Sequence, residues 1–516
     1  MKIRNLLTVL ATAMAVFASS CSKNPDTPGP EPDKIPKEKA YFSFKLTGGP
    51  ETRAVTDANA TVADLAVDGA CILMFGTSGS RELLYKELLS VTNLNVAGDD
   101  IVPYRNSTAS EHLATSGDAE SPSEESFVSK ALQVDKQDYS MVVLLNVPAA
   151  LSASLVTKAE ADASGGVKTA TTLASFKAAR ENVTLTGYGL LVGSGPGYTK
   201  IFMSNSQGEI SVSEGDLQGS PEDAEETPSG VDVMRMFAKI NVIKGAGFSV
   251  TQDGSALTGA TWKLDVVNRK SYLMRMPFGT EGVNHQNWYA TDPNMTVSGY
   301  DESELETEEF IYVSSLFADG HDFTGSPGNF QFTFENTMVA AEQVPGKIEK
   351  VGTRIVLCAQ IKPATLTTAD NYYSFNGCTF TQDQANSWAV DDNFPPEVDG
   401  LQAVVSAINS EYGAGTITFG VGGQEPSTYF SSRGLTFHKD QMNIYYIPIK
   451  HFGNDPGASI DDAGYYGVVR NNVYEVTINS IKGPGPAPED YSFVSSSVRI
   501  LPWAFRQQAE SEVPGI

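Results

Sequence analysis

Residues Val231–Gly245, VDVMRMFAKINVIKG, read as a β-strand with apolar side chains on both faces. Val231, Val233, Arg235, Phe237 and Lys239 alternate with Asp232, Met234, Met236, Ala238 and Ile240, so neither face is wholly polar. A strand of that kind is central in a sheet or covered by a second layer, which predicts a layered β protein. The flanking sequence agrees. Upstream lie GACILMFGT around Cys71, RELLYKELLSV as a strand or short helix, YSMVVLLNVP from Tyr139, and KIFMSNSQ around Met203. Downstream come ATWKLDVVNRKSYLMRM, EEFIYVSSLFA, NFQFTFENTM, TRIVLCAQIKP, NYYSFNGCTF, GTITFGV, NIYYIPIKHFG, GVVRNNVYEVTINSIKG and SSVRILPWAFRQQAESEV. Turn clusters such as Asp253-Gly254, Gly325–Gly328 and Gly483–Pro486 separate these runs. Strands in series with few helices predict tandem β-sandwiches. Helical spacing is confined to Leu173–Val183, with Leu173, Phe176 and Ala179 three apart, and to Ala403–Tyr412.

The chain has 516 residues, 41% of them apolar, enough for two to four domains that each bury a core. Its 62 acidic against 36 basic residues give a net charge of −26, which argues against a nucleic-acid-binding surface. The N-terminus carries Lys2 and Arg4, an apolar stretch from Leu6 to Phe17, and Ala18-Ser19-Ser20 before Cys21. That is a secretory signal too short to span a bilayer, ending at a cysteine. It resembles a bacterial lipoprotein signal, with Cys21 as the lipidated residue; an ordinary signal peptide with a chance cysteine is the alternative. Ser22–Lys39, rich in Pro and charge, then forms an extended tether. Of the remaining cysteines, Cys71 and Cys358 sit in strand-like runs as small hydrophobes, and a Cys358–Cys378 disulfide is the less favoured reading.

Between tether and body lies Tyr41–Val55, YFSFKLTGGPETRAV. Phe42, Phe44 and Leu46 alternate with Tyr41, Ser43 and Lys45 as in a half-buried strand. A Gly-Gly-Pro breaker follows, and then Arg53 in a polar loop, placed for a trypsin-like protease to separate leader from body.

The leader, the Arg53-Ala54 junction, the VMRMFAKINV strand, and above all YYGVVRNNVYEVTINSIKGPG followed by VRILPW resemble the fimbrillins, closest to the short-fimbria major subunit of Bacteroidales-type fimbriae. The resemblance implies an all-β chain of two tandem transthyretin-like β-sandwich domains with long loops and a few short helices. Carried onto this sequence, residues 1–20 are the signal peptide and 21–53 the lipidated tether and removable first strand. Residues 54–245 and 246–495 are the two sandwiches, and 496–516 the C-terminal donor segment. It further implies export as a lipoprotein to the outer membrane and cleavage between Arg53 and Ala54 by an arginine-specific extracellular protease. The strand bearing Phe42, Phe44 and Leu46 is then replaced by the C-terminal strand of a neighbour, with Val498, Ile500, Trp503 and Phe505 as the inserted residues. The partners implied are identical subunits in a head-to-tail filament, accessory tip and anchor subunits, and host or bacterial adhesion receptors. Only the precursor would touch the membrane, through its lipid. One departure is that the residues after Cys21 lack the compact acidic cluster of some surface-export signals.

Other functions are poorly supported by the residues. His112, His285, His321, His438 and His451 show no metal-ligand spacing, and no nucleophile elbow, P-loop or dinucleotide fingerprint is present. Asp391-Asp392, Asp461-Asp462 and Glu302–Glu309 read as solvated loops rather than glycosidase carboxylates or calcium ligands. No enzyme activity, cofactor or metal is therefore expected. The alternative function is a surface glycan-binding lipoprotein, with Trp288, Trp388 and Tyr372-Tyr373 exposed to stack on sugars.

Overall fold

The structure, a computed structural model, describes residues 37–48, 67, 69–90, 101–104, 126–161, 167–178, 191–192, 200–251, 255–276, 291–294, 310–312, 320–323, 329–338, 343–344, 348–366, 371–427, 430–451, 459–461, 464–484 and 494–502. It is an all-β protein with few short helices, and Lys39–Ile516 forms one compact unit. A nine-stranded sheet holds, in spatial order, Leu83–Ser90, Gly69–Gly76, Tyr139–Leu145, Met203–Asn205, Ser229–Arg235, Phe44–Gly48, Ser126–Ser129 and Ile101–Tyr104, with Ile210–Val212 also on Tyr139–Leu145. The RELLYKELLSV run is thus a strand. Gly69–Gly76 and Tyr139–Leu145 are apolar on both sides because both faces of this sheet are covered. One face packs Ile72, Met74, Met141, Val143, Val231 and Val233; the other packs Leu73, Phe75, Val142 and Leu144.

The opening stretch Val231–Gly245 breaks at Met236. Ser229–Arg235 belongs to the nine-stranded sheet, whereas Phe237–Val250 begins a new one, flanked by Phe330–Phe334 and Asn472–Ile481, with Val494–Pro502 at its edge. The apolar character of both faces therefore reflects a strand that changes sheets. Asn471 stitches the break: its side-chain oxygen accepts the Arg235 N–H at 3.2 Å and its own N–H donates to the Phe237 carbonyl at 2.8 Å. Its φ of 58° is left-handed, a region Asn tolerates better than most residues.

The new sheet faces a second four-stranded sheet of His321–Asp322, Ala256–Asp265, Arg354–Lys362 and Met442–Pro448. Their shared core includes Ile240, Val242, Trp262, Leu357, Tyr474 and Val476, which makes this half a β-sandwich. Between the paired strands Arg354–Lys362 and Met442–Pro448 the chain inserts a small layered unit with its own core. It contains the sheet Cys378–Phe380, Tyr372–Phe375, Leu435–His438, Phe430–Ser432 and the helices Gln382–Asp391 and Leu401–Tyr412.

Two local readings need correction. Gly415–Val421 is a loop, not a strand. Its polar backbone is satisfied by side chains, since Asn409 bonds both the N–H and the carbonyl of Ile417 and Gln382 donates to the Thr418 carbonyl. Gln382–Asp391 is a helix unanticipated by apolar spacing, started by a capping box in which Thr381 and Gln384 bond each other's backbone N–H. The helical reading at Leu173 holds for Leu173–Ala178. Tyr372 and Tyr373, which the glycan-binding alternative needs at the surface, are 0% exposed, and Trp388 is packed against Phe380. Cys71, Cys358 and Cys378 are free thiols, and burial pushes Cys71 up to about 11 and Cys358 up to about 12.

Two histidines are fully buried and neutral. His438 donates from Nδ1 to the Met442 carbonyl and accepts from Ser374 at Nε2; burial lowers it to about 4. His451 accepts the Tyr474 hydroxyl and is lowered by burial to about 3. Because the unfolded chain takes up these protons near pH 6.5, the stability they confer is intact at pH 7 and is lost as the pH falls from about 6.5 toward 4. We expect His438 alone to cost about 3 kcal/mol by pH 4. Urea midpoints across that range should fall steeply for the native chain and less steeply for His438→Gln.

Candidate functional site

Lys39–Gly48 is the segment around which a site is built. It is kinked at Ser43. Lys39–Phe42 pairs antiparallel with Leu132–Asp135, and Phe44–Gly48 runs between Ser126–Ser129, antiparallel, and Ser229–Val233, parallel. The kink lets one extended segment serve two layers, as the opposing chain does between Ser129 and Leu132. At the turn Ser43 is buried: its hydroxyl donates to the Ser129 carbonyl at 2.8 Å and its carbonyl accepts the Ser229 N–H at 3.0 Å. The Phe44 N–H donates to Ser129 Oγ at 3.1 Å. Tyr41 exchanges both backbone hydrogen bonds with Gln218, each 2.8 Å.

The segment is therefore held along both edges, and Phe42, Phe44 and Leu46 face inward as the sequence predicts, whereas Ser43, expected on the outer face, is buried at the kink. Ala40, Phe42, Phe44 and Leu46 are at most 2% exposed and join Leu132, Val134, Met141 and Val231 in one core. Burying the three large ones at about 2 kcal/mol each contributes about 6 kcal/mol before ordering costs. The Lys39–Asp135 ion pair, 2.6 Å long but exposed on both sides, adds little. Without Lys39–Gly48 the same positions become a groove lined by apolar side chains and by two rows of unpaired backbone groups.

Gly48 is the last described residue of the segment, so Arg53 and Ala54 lie outside the described residues, as do Cys21, Trp503 and Phe505. Val498 and Ile500 lie in the edge strand Val494–Pro502, at the register positions opposite Val476 and Tyr474 of Asn472–Ile481. Lys39–Phe42 thus lies in a two-stranded sheet with Leu132–Asp135, Phe44–Gly48 in the nine-stranded sheet, and Val494–Pro502 in a sheet of the following sandwich. What spacing did not reveal is the part played by Ser43, Ser129 and Gln218, because their pairings span long sequence separations. Among the described residues no group of three or more His, Cys, Asp or Glu is arranged to hold a metal ion.

Residues 436–509 match the family described as major fimbrial subunit protein type IV, fimbrillin, C-terminal. No curated protein matches the chain. Among solved structures, a Parabacteroides distasonis protein provisionally assigned to cell adhesion aligns over 91% of this chain and 99% of its own, at 13% identity and a TM-score of 0.43. The C-terminally truncated tip fimbrial protein Mfa3 of Porphyromonas gingivalis aligns over 90% of this chain and 100% of its own, at 11% identity and a TM-score of 0.35.

Proposed function

We propose that this chain, a fimbrillin-family fimbrial subunit by its C-terminal region, polymerises head-to-tail by exchanging Lys39–Gly48 for the C-terminal strand of a neighbour. In this reading the precursor is exported as a lipoprotein through Cys21, and an arginine-specific protease outside the cell cuts between Arg53 and Ala54. The domain division at residues 245 and 246 belongs to the same proposal. The single observation that carries it is the position of Lys39–Gly48: it lies nearest the N-terminus of the body, yet is bonded along both edges and buried through Phe42, Phe44 and Leu46.

Removing a strand so placed exposes a groove that main-chain pairing and alternate side chains of another strand can fill. Groove and donor are different surfaces, so the contact does not close on itself and a filament results. Accessory tip and anchor subunits would end the filament, and receptors on host cells or partner bacteria would be its targets. The precursor would reside at the outer membrane and the mature subunit in the extracellular fimbrium. The test is the N-terminus of assembled material. We expect Ala54 as the first residue, and polymer that retains Tyr41 would refute the scheme.

A further inference from the structure

We propose that the donor strand enters this groove in one polarity and one register, with Leu501-Pro502-Trp503-Ala504-Phe505 standing in for Phe42-Ser43-Phe44-Lys45-Leu46. This rests on the strand-exchange reading above and adds to it which donor residue meets which groove position. Polarity follows from the two edges. The resident segment is parallel to Ser229–Val233 and antiparallel to Ser126–Ser129, and parallel and antiparallel ladders space their hydrogen bonds differently. A donor that reuses both edges must run in the resident direction.

Register follows from proline. Pro502 brings no N–H. In the resident segment the Tyr41 N–H is used by the Gln218 carbonyl and the Phe44 N–H by Ser129 Oγ, whereas the Ser43 N–H has no hydrogen-bond partner among the described residues. Pro502 at the Ser43 position therefore forfeits no bond to a described residue. The side chains then agree: Leu501, Trp503 and Phe505 fall on the three buried positions of Phe42, Phe44 and Leu46, and Ala504 on the half-exposed position of Lys45.

Neighbouring registers fail on the same grounds. Moving Pro502 to the Tyr41 position puts Gln507 where Leu46 is buried. Moving it to the Phe44 position breaks the Ser129 bond and leaves Pro502 and Ala504 in the places of Phe44 and Leu46. Moving it to the Lys45 position drives Arg499 into the Phe42 site, an unpaired charge in an apolar core. In the proposed register Arg499 comes opposite the Ala40 position, so the copy begins at Leu501. Leu501 and Pro502 then leave their own register partners Val473 and Asn472, while Val494–Ile500 stays with its own subunit, so Val498 and Ile500 keep their places opposite Val476 and Tyr474 and the inserted set becomes Leu501, Trp503 and Phe505.

Lys45 is the register partner of Val128, which gives a direct test in the full-length, proteolytically matured chain. Val128→Cys combined with Ala504→Cys is expected to form an intermolecular disulfide ladder on mild oxidation, at least about tenfold more than Val128→Cys with Arg506→Cys, because a pair two residues out of register exceeds disulfide reach. Preferential crosslinking through Arg506→Cys overturns the register and leaves strand exchange standing. Polymer that crosslinks through neither overturns the register as well, and polymer that retains Tyr41 overturns strand exchange itself. Should Cys at position 128 prevent assembly, single substitutions decide. Trp503→Ala is expected to lower polymer yield by about tenfold or more and Gln507→Ala by less than about twofold. Equal or reversed losses overturn the register.

Discussion

Arg53→Ala is expected to leave the chain unable to polymerise while still exported and lipidated. The resident strand buries Phe42, Phe44 and Leu46 for about 6 kcal/mol before ordering costs, and about 1.4 kcal/mol corresponds to a decade in an equilibrium constant. Whatever part of that survives the ordering cost keeps the groove occupied in the intact precursor, a decade for each about 1.4 kcal/mol. A donor strand from a neighbour competes with a segment that is covalently attached and already in place. We expect polymer from Arg53→Ala to fall by about a hundredfold or more, read as loss of the high-molecular-weight ladder on a denaturing gel without full heating. Normal fimbriae from this variant would refute strand removal as the switch. Monomer that accumulates with its lipid and with Tyr41 still present is the supporting result.

The second large effect concerns folding. Arg470 and Glu335 form an ion pair 2.5 Å long with both side chains 0% exposed. Arg470 Nε also donates to Glu335 at 2.9 Å, and Nη2 to the Ser271 hydroxyl and the Tyr272 carbonyl at 3.1 and 3.0 Å. Removing one partner leaves the other charge buried without its counter-ion, which typically costs about 3–5 kcal/mol. Arg470→Ala should therefore lower the urea midpoint sharply. The double substitution Arg470→Met with Glu335→Met should recover most of the loss, since replacing both charges by apolar groups of similar volume is often neutral or better. If the double variant were as unstable as the single one, the pair would have a role beyond mutual neutralisation, such as fixing the turn that presents Asn471. That turn joins the Asn472–Ile481 strand to the break at Met236, so its loss would separate the two halves of the fold.

Much of this architecture could be read from residue pattern. Tyr139–Leu145 and the centre of Arg354–Lys362 are apolar runs of strand length, and Tyr474, Val476 and Ile478 alternate within the Asn472–Ile481 strand. The inward faces of Phe42, Phe44 and Leu46 follow from a period of two. The rest was hidden for identifiable reasons. The sheet change at Met236 leaves the apolar pattern unbroken, because both of its sheets are covered. Ser43 reads as a surface position, yet it is buried by a kink that pairing with Ser129 and Ser229 imposes from far along the chain. Gln382–Asp391 has no clear apolar stripe, and only the Thr381–Gln384 box announces it. The parallel neighbour of Phe44–Gly48 lies nearly 200 residues away in sequence, beyond the reach of any local signal.

The two-edged seat of Lys39–Gly48 has a consequence for what a single cut accomplishes. While the chain is whole, the strand returns to its seat as an intramolecular event, independent of how dilute the protein is. In the proposed scheme one hydrolysed peptide bond after Arg53 would remove that covalent tie and leave the pairings of Lys39–Gly48 in place. The same hydrogen bonds and the same buried phenylalanines then belong to a bimolecular complex, whose strand is lost by dilution each time it leaves. Under strand exchange a neighbouring subunit would then need no tighter hold on the groove than the resident strand had. It need only be present at higher local concentration.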